Sequence, residues 1–296
     1  MEKRGFILVF LTALISGVSV FINKFGVSGI DSSVFTFAKN IVVAVLLFSL
    51  IFLFKDFSKL KDLTGKQWGK LALIGLVGGS VPFLLFFRGL QLTNAASASL
   101  IQKAMFVFVA VLAVVFLKER LNKWFIAAAA LLLCGNALLI GFVWKGFGIG
   151  DLMVLGATLL WAVENVISKH TLKELPSRVV AFGRMFFGSV FILIYLAFAG
   201  KLSLVANLSA AQLGWIAVTS AFLLFYVITW YEGLKHIDVS AATCVLLLGS
   251  IVTTALSLLS GGVITVSEIA GMALVLAGVG LAAGRKMQWG IRHGWS

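Results

Sequence analysis

From Gly5 onward the chain is written as long apolar runs broken by short polar gaps. The runs lie near residues 5–27, 33–54, 68–88, 93–117, 122–143, 149–171, 178–199, 211–232, 238–260 and 266–285. A helix needs about 20 residues to cross the hydrocarbon of a bilayer, and each run supplies that length. None alternates apolar and polar residues as a barrel strand does. The pattern therefore predicts an all-α integral membrane protein with ten transmembrane helices. Only the gap at 55–67 is long enough to count as a loop. The first run follows Met1-Glu2-Lys3-Arg4 and is longer than the apolar part of a cleavable leader, so it reads as the first membrane helix.

The pattern repeats. Gly89-Leu90 lies over Gly233-Leu234, Asn94 over Asp238, Ala98 over Ala242 and Ile126-Ala127 over Ala270-Gly271, at an offset of 144. Earlier in each unit, Gly5 lies over Gly150, Lys24 over Lys169, Phe37 over Phe182 and Lys39 over Arg184, at an offset of 145. This predicts a unit at 1–145, a second at 146–285 and a basic tail at 286–296. Each unit holds five helices, an odd number, so the second is inverted in the membrane relative to the first. Inverted repeats place a substrate site near the midplane between them.

Composition fits a lipid environment: 61% of residues are hydrophobic and 12% are charged, where a soluble domain carries about 25% charged. The net charge of +13 is not a nucleic-acid footprint. The Lys and Arg residues collect in alternate gaps, at Lys3-Arg4, 55–70, Lys118 to Lys123, Lys169 to Arg178, Lys235 and from Arg285 on. Lys24, Arg88, Lys145 and Lys201 stand alone on the other side. The rule that basic loops stay inside predicts cytoplasmic N and C termini and a multi-pass protein of the cytoplasmic membrane. Cys134 and Cys244 lie inside apolar runs and the three His do not cluster. No metal set, phosphate-cradling loop or nucleophile triad is written, so neither catalysis nor a cofactor is expected.

Two stretches carry a resemblance: Arg88-Gly89-Leu90-Gln91-Leu92-Thr93-Asn94-Ala95-Ala96-Ser97-Ala98-Ser99-Leu100-Ile101, then Phe116-Leu117-Lys118-Glu119-Arg120-Leu121. Trp161-Ala162-Val163-Glu164-Asn165-Val166-Ile167-Ser168-Lys169 opens the second unit, and a basic residue sits in the second helix of each unit, Lys39 and Arg184. Together with the duplication, these resemble the EamA domain of the drug/metabolite transporter superfamily over essentially the whole chain. The resemblance implies a secondary transporter, with export the commoner direction. The chain departs from the family pattern at Met105 and Gly249 (for Pro), at Ser16 (for Trp) and at Gly261 to Ile264, which lacks a match to Glu119.

Charge inside the membrane marks the candidate site, because a central charge costs about 2.5–3.5 kcal/mol to insert. Lys103 sits about midway along the fourth helix and has Leu247 as its counterpart. It is the expected seat for a substrate carboxylate or phosphate, against a plain internal ion pair. Glu164 is read as a seat for a substrate ammonium, as a proton carrier, or as a structural partner of Lys103 or Arg184. Arg184 and Lys39 are repeat-related, which favours structure or gating over binding. Asn165 and Tyr226 are further lining candidates, whereas Asn40 and Asn136 read as helix-to-helix hydrogen bonds. Gly79, Ser80 and Pro82 suggest a kinked cavity wall or gate, and Trp161 and Trp230 join them, with the interfacial belt as the alternative for Trp230 and as the reading for Tyr231.

The expected substrate is a small polar metabolite, best an amino acid or related zwitterion or organic acid, moved by alternating access. The alternative is an anion or sugar-phosphate exchanger using Lys103 and Arg184 as a clamp, with a non-transporting structural protein behind it. The expected partners are the substrate and the lipid bilayer, not nucleic acid. The duplication supplies both halves, so a monomer suffices and a dimer stays open.

Overall fold

The computed structural model describes residues 2–26, 29–93, 95–121, 123–141 and 146–292, with the side chains of Lys24, Ala95 and 283–292 left aside. Ten helices carry the apolar runs: α1 (Glu2–Gly26), α2 (Ser32–Leu53), α3 (Gly65–Leu92), α4 (Ala96–Leu117) and α5 (Lys123–Ile140), then α6 (Ile149–Thr171), α7 (Ser177–Phe198), α8 (Ala210–His236), α9 (Val239–Leu259) and α10 (Val266–Arg292). Among the described residues nine have the length and apolar content to cross a membrane, and the apolar part of α10, Val266–Ala282, is shorter. Phe52, Phe198 and Leu259 stand exposed on the outside, as lipid-facing side chains do. No strand occurs among the described residues.

Some ends differ from the pattern. His236, expected in a loop, closes α8, and α10 runs through the start of the expected tail to Arg292. A basic helix end stays helical because its backbone bonds close locally whatever its side chains do. Asn94, Lys145 and His293 lie outside the described residues, and so does the tail beyond Arg292.

The repeat is visible in the packing. Helix α1 lies against α8 and α9, while α6 lies against α3 and α4; exchanging the two units turns one set into the other. Helices α2 and α7 pack on each other, as do α5 and α10, so these pairs map onto themselves. The matched glycines carry the same contact twice. A Cβ on Gly89 would stand 2.7 Å from the Gly150 carbonyl, and one on Gly5 would stand 3.3 Å from the Gly233 carbonyl. Small residues let helix backbones touch where lipid offers no hydrophobic drive. Replacing Gly89 with Ala should therefore lower the melting temperature in detergent, at a cost of about 1–3 kcal/mol for the overpacked contact; an unchanged temperature would show that the helices can part there.

Three helices depart from regular geometry. Helix α4 breaks at Ala104 and α9 breaks at Leu247, within one residue of the matched position in the two units. At each break one bond tightens to three residues, Val107 N–H to Ala104 O (2.9 Å) and Ser250 N–H to Leu247 O (3.0 Å). The family pattern puts Pro near here, yet this chain breaks without it. In α3, Gly75–Ser80 widens into a π turn before Pro82. Pro82 brings no N–H to the Gly78 carbonyl four residues earlier, which leaves that oxygen for side chains.

Candidate functional site

A cavity of about 440 Å³ lies between the repeats, within the range of small-metabolite pockets. The first four helices of each unit line it, and α5 and α10 do not. Its walls on α1, α2 and α3 come from the halves nearest the face opposite the chain ends, and those on α7, α8 and α9 from the halves nearest the chain ends, so the cavity spans the middle of the bundle.

All six expected binding residues, Lys103, Glu164, Asn165, Tyr226, Arg184 and Lys39, line this one cavity. Trp161 and Trp230 line it as well. Gly79, Ser80 and Pro82 do not; they stand behind the wall and shape it. Gly79 and Gly188 bring α3 and α7 into backbone contact, where a Cβ on Gly188 would meet the Gly79 Cα at 2.9 Å. This close approach carries the freed Gly78 carbonyl to Arg184 Nη2 and Trp161 Nε1, each donating at 3.2 Å. Ser80 Oγ donates back to the Leu76 carbonyl at 3.0 Å, and Asn40 Nδ2 donates to the Gly79 carbonyl at 3.0 Å. The α3 wall is thus held from α2, α6 and α7.

One arrangement occurs twice, in two chemistries. In the second unit Arg184 of α7 faces Glu164 of α6, with Nε and Oε1 3.9 Å apart. Ser168, one turn on, donates to the same Oε1 at 2.6 Å. The matching positions of the first unit are Lys39, Ser19 and Asn23. There Lys39 Nζ donates to Asn23 Oδ1 at 2.9 Å, and Asn23 Nδ2 donates to Ser19 Oγ at 3.0 Å. Each basic residue is tied to the first helix of its own unit through an i,i+4 polar pair. The pair is anionic in the second unit and neutral in the first. Arg184 is therefore balanced in charge, and Lys39 is hydrogen-bonded but not balanced among the described residues; it also lies 4.9 Å from the Phe35 ring.

Lys103 differs from both. It ends the first segment of α4, lines the cavity, and has no hydrogen-bond or ion-pair partner among the described residues. Among the described residues three cations and one carboxylate line the cavity, and that carboxylate is already engaged. The arrangement can receive a small anion.

Tyr231 corrects the belt reading. It is fully buried and its hydroxyl donates to Glu164 Oε1 at 2.6 Å; Trp230 is 3% exposed and faces the cavity, with its ring stacked on Tyr226 at 6.3 Å. The interfacial reading fails because α8 runs one turn past its expected end, which carries both rings into the bundle. Tyr231 was singled out by the sequence but for the wrong role, and Ser168, Ser19 and Asn23 were given no role. The signal that finds the last three is the spacing of 145 that already aligned Lys39 with Arg184.

On the face of the chain ends, polar contacts tie helices together within and between the units. Glu119, from the charged knot between α4 and α5, receives the Val239 N–H at 2.8 Å and the Ser240 hydroxyl at 2.5 Å, capping the start of α9. Lys169 Nζ donates to the Leu234 and Ile237 carbonyls at 2.7 and 2.8 Å, closing the end of α8. Arg4 with Glu232, Lys70 with Glu174 and Arg178 with Asp56 add cross-helix ion pairs. On the opposite face Lys201 pairs at 2.7 Å with Asp31, which caps α2. Burial works to raise the Asp31 carboxyl, but the Lys201 hydrogen bond and two backbone amides hold it below its ordinary value.

Comparison with known proteins agrees with this architecture. A solved crystal structure superposes with a TM-score of 0.82 over 98% of this chain and 99% of that chain, at 19% identity. A Sinorhizobium protein named as an uncharacterized transporter is 34% identical over 42% of this chain and 91% of its own length. The Bacillus subtilis uncharacterized transporter YyaM is 27% identical over 72% of both chains, and a Clostridium kluyveri uncharacterized transporter is 25% identical over 93% of this chain and 92% of its own. The EamA-like transporter family matches residues 3–141 and again 148–284, so the chain is a multi-pass membrane protein that belongs to that family of transporters.

Proposed function

We propose that the chain moves a small polar metabolite carrying an anionic group across the cytoplasmic membrane, by alternating access around the central cavity. The candidates are an amino acid or related zwitterion and an organic acid, with export as the working direction. The observation that carries this reading is Lys103, a cation without a partner among the described residues, on the wall of a cavity of about 440 Å³. Holding a bare charge inside a membrane protein is costly, so a partner that arrives and leaves is the economical explanation.

With both termini cytoplasmic, the polar contacts of Glu119, Lys169 and Glu232 lie on the inner side of the cavity and are the contacts that inward opening would break. The phosphate-exchanger reading keeps one supporting feature, since Lys39 is a second cation without a counter-charge. It loses the Lys103–Arg184 clamp, because Arg184 is held by Glu164 and the Gly78 carbonyl.

Counterflow in liposomes loaded in turn with amino acids, organic acids and sugar phosphates tests the reading. Exchange of a carboxylate or phosphate compound is the expected result. Exchange confined to cationic or uncharged compounds would overturn it.

A further inference from the structure

Asn165 is buried beside Glu164 on α6 and lines the cavity. Its amide is half satisfied. Nδ2 donates to the Trp161 carbonyl at 2.8 Å, one turn back on the same helix. Oδ1 is buried and accepts no hydrogen bond. Turning the amide over does not help, because it would set Oδ1 against the Trp161 carbonyl oxygen, an acceptor against an acceptor. A buried acceptor without a donor costs about 1–3 kcal/mol. A cavity-lining residue that bears this cost is matched to a donor brought by the cargo.

The charges say what kind of donor. An ammonium needs a counter-charge when it is desolvated, and among the described residues the cavity has one carboxylate. Glu164 Oε1 already takes the Tyr231 hydroxyl, the Ser168 hydroxyl and the charge of Arg184. Against it stand Lys39 and Lys103, neither facing a carboxylate among the described residues. A zwitterion would add a cation to a wall that already has cations in excess. A hydroxyl offers Asn165 the same hydrogen bond and no charge.

Resting on the reading of Lys103 as the anion seat, we propose that the cargo is a hydroxylated organic anion. Its carboxylate or phosphate meets Lys103, and a neutral hydroxyl in place of an ammonium donates to Asn165 Oδ1. Asn165 is then the residue that sets specificity between hydroxy acids and amino acids. Phe83 and Phe86, packed on Trp161 with ring centres 5.2 and 5.5 Å away, give the rest of such a molecule an apolar wall.

The test is equilibrium binding to the purified full chain in liposomes, with two matched sets of probes. The carboxylate set is 3-phenyllactate, phenylalanine and 3-phenylpropionate, which differ only in hydroxyl, ammonium or hydrogen. The phosphate set is 2-hydroxyethyl phosphate, phosphoethanolamine and ethyl phosphate. The expected result is that, in at least one set, the hydroxyl member binds about tenfold or more tightly than both others, the order set by an unpaired buried acceptor. Which set responds tells a carboxylate from a phosphate.

Asn165→Leu should bring the hydroxyl and hydrogen members of that set together. Asn165→Asp, which adds a carboxylate, should move the preference toward the ammonium member. Both variants are read only after their melting temperatures match the parent, and if Asn165→Leu does not fold, Asn165→Ser takes its place. The proposal is overturned if the ammonium member binds as well as or better than the hydroxyl member, if no probe binds, or if the hydroxyl advantage survives at Asn165→Leu. Lys103→Met separates the two claims. Loss of the whole responding set keeps Lys103 as the seat even when the hydroxyl preference is absent, whereas unchanged binding removes the seat itself.

Discussion

Replacing Lys103 with Met should cut counterflow by about 10- to 100-fold, the range given by loss of one charge-assisted hydrogen bond to the cargo. The folded yield and melting temperature should stay at the parent level or rise. Both halves of the expectation come from the same fact: among the described residues Lys103 touches no donor or acceptor that would miss it. Met keeps the length and apolar stem of the side chain while removing the charge, whose insertion costs about 2.5–3.5 kcal/mol. A structural lysine would behave the other way, losing stability and activity together. Lys103→Arg should retain a measurable part of the activity, because the charge returns at nearly the same reach. Parent-level counterflow in the Met variant would take Lys103 out of the site and leave the cavity without its anion seat.

Lys103 was legible in the sequence because one cation inside an apolar run needs no partner information to be noticed. The same holds for Lys39, Arg184 and Glu164. The inversion was legible too, since five helices per unit is a matter of counting. What pairs with what was not. Glu164 was expected beside Lys103 or Arg184, and the choice between them depends on how α7 is rotated against α6, which no periodicity records. Gly79 and Gly188 fix α7 against α3 by letting two backbones touch, and the Gly78 carbonyl then holds Arg184 and Trp161 together. Tyr231 was misread because its depth follows from one extra turn of α8, and helix ends are the least determined feature of an apolar run. Glu119 read as an orientation signal. Its contact with the start of α9 joins residues 120 apart in sequence, and only the assembled repeats bring them together. The break in α4 was also hidden, because the family's Pro is absent and the backbone turns at Ala104 without it.

Breaking the Glu164–Arg184 pair should be the most damaging single change to stability in the cavity wall. Glu164 is 2% exposed and Arg184 is 9% exposed, so neither can fall back on solvent. Glu164→Gln leaves the guanidinium uncompensated and removes the acceptor charge that holds the Tyr231 and Ser168 hydroxyls. Removing one partner of a buried pair costs about 3–5 kcal/mol, and Arg184→Met should cost a similar amount by stranding the carboxylate. The double variant Glu164→Gln with Arg184→Met carries no stranded charge. It should recover a large part of the loss, and the melting temperatures of the four proteins form a cycle whose interaction energy reads the pair directly. Additive losses would mean that the 3.9 Å approach contributes nothing and that each residue acts through its other contacts. The cycle also decides the role of Glu164 in transport. If the carboxylate is committed to Arg184, the double variant should keep the parent's dependence of counterflow on pH. A profile flattened in the double variant would instead make Glu164 the group that takes up and releases the proton, with Arg184 as the cation that keeps it charged between strokes.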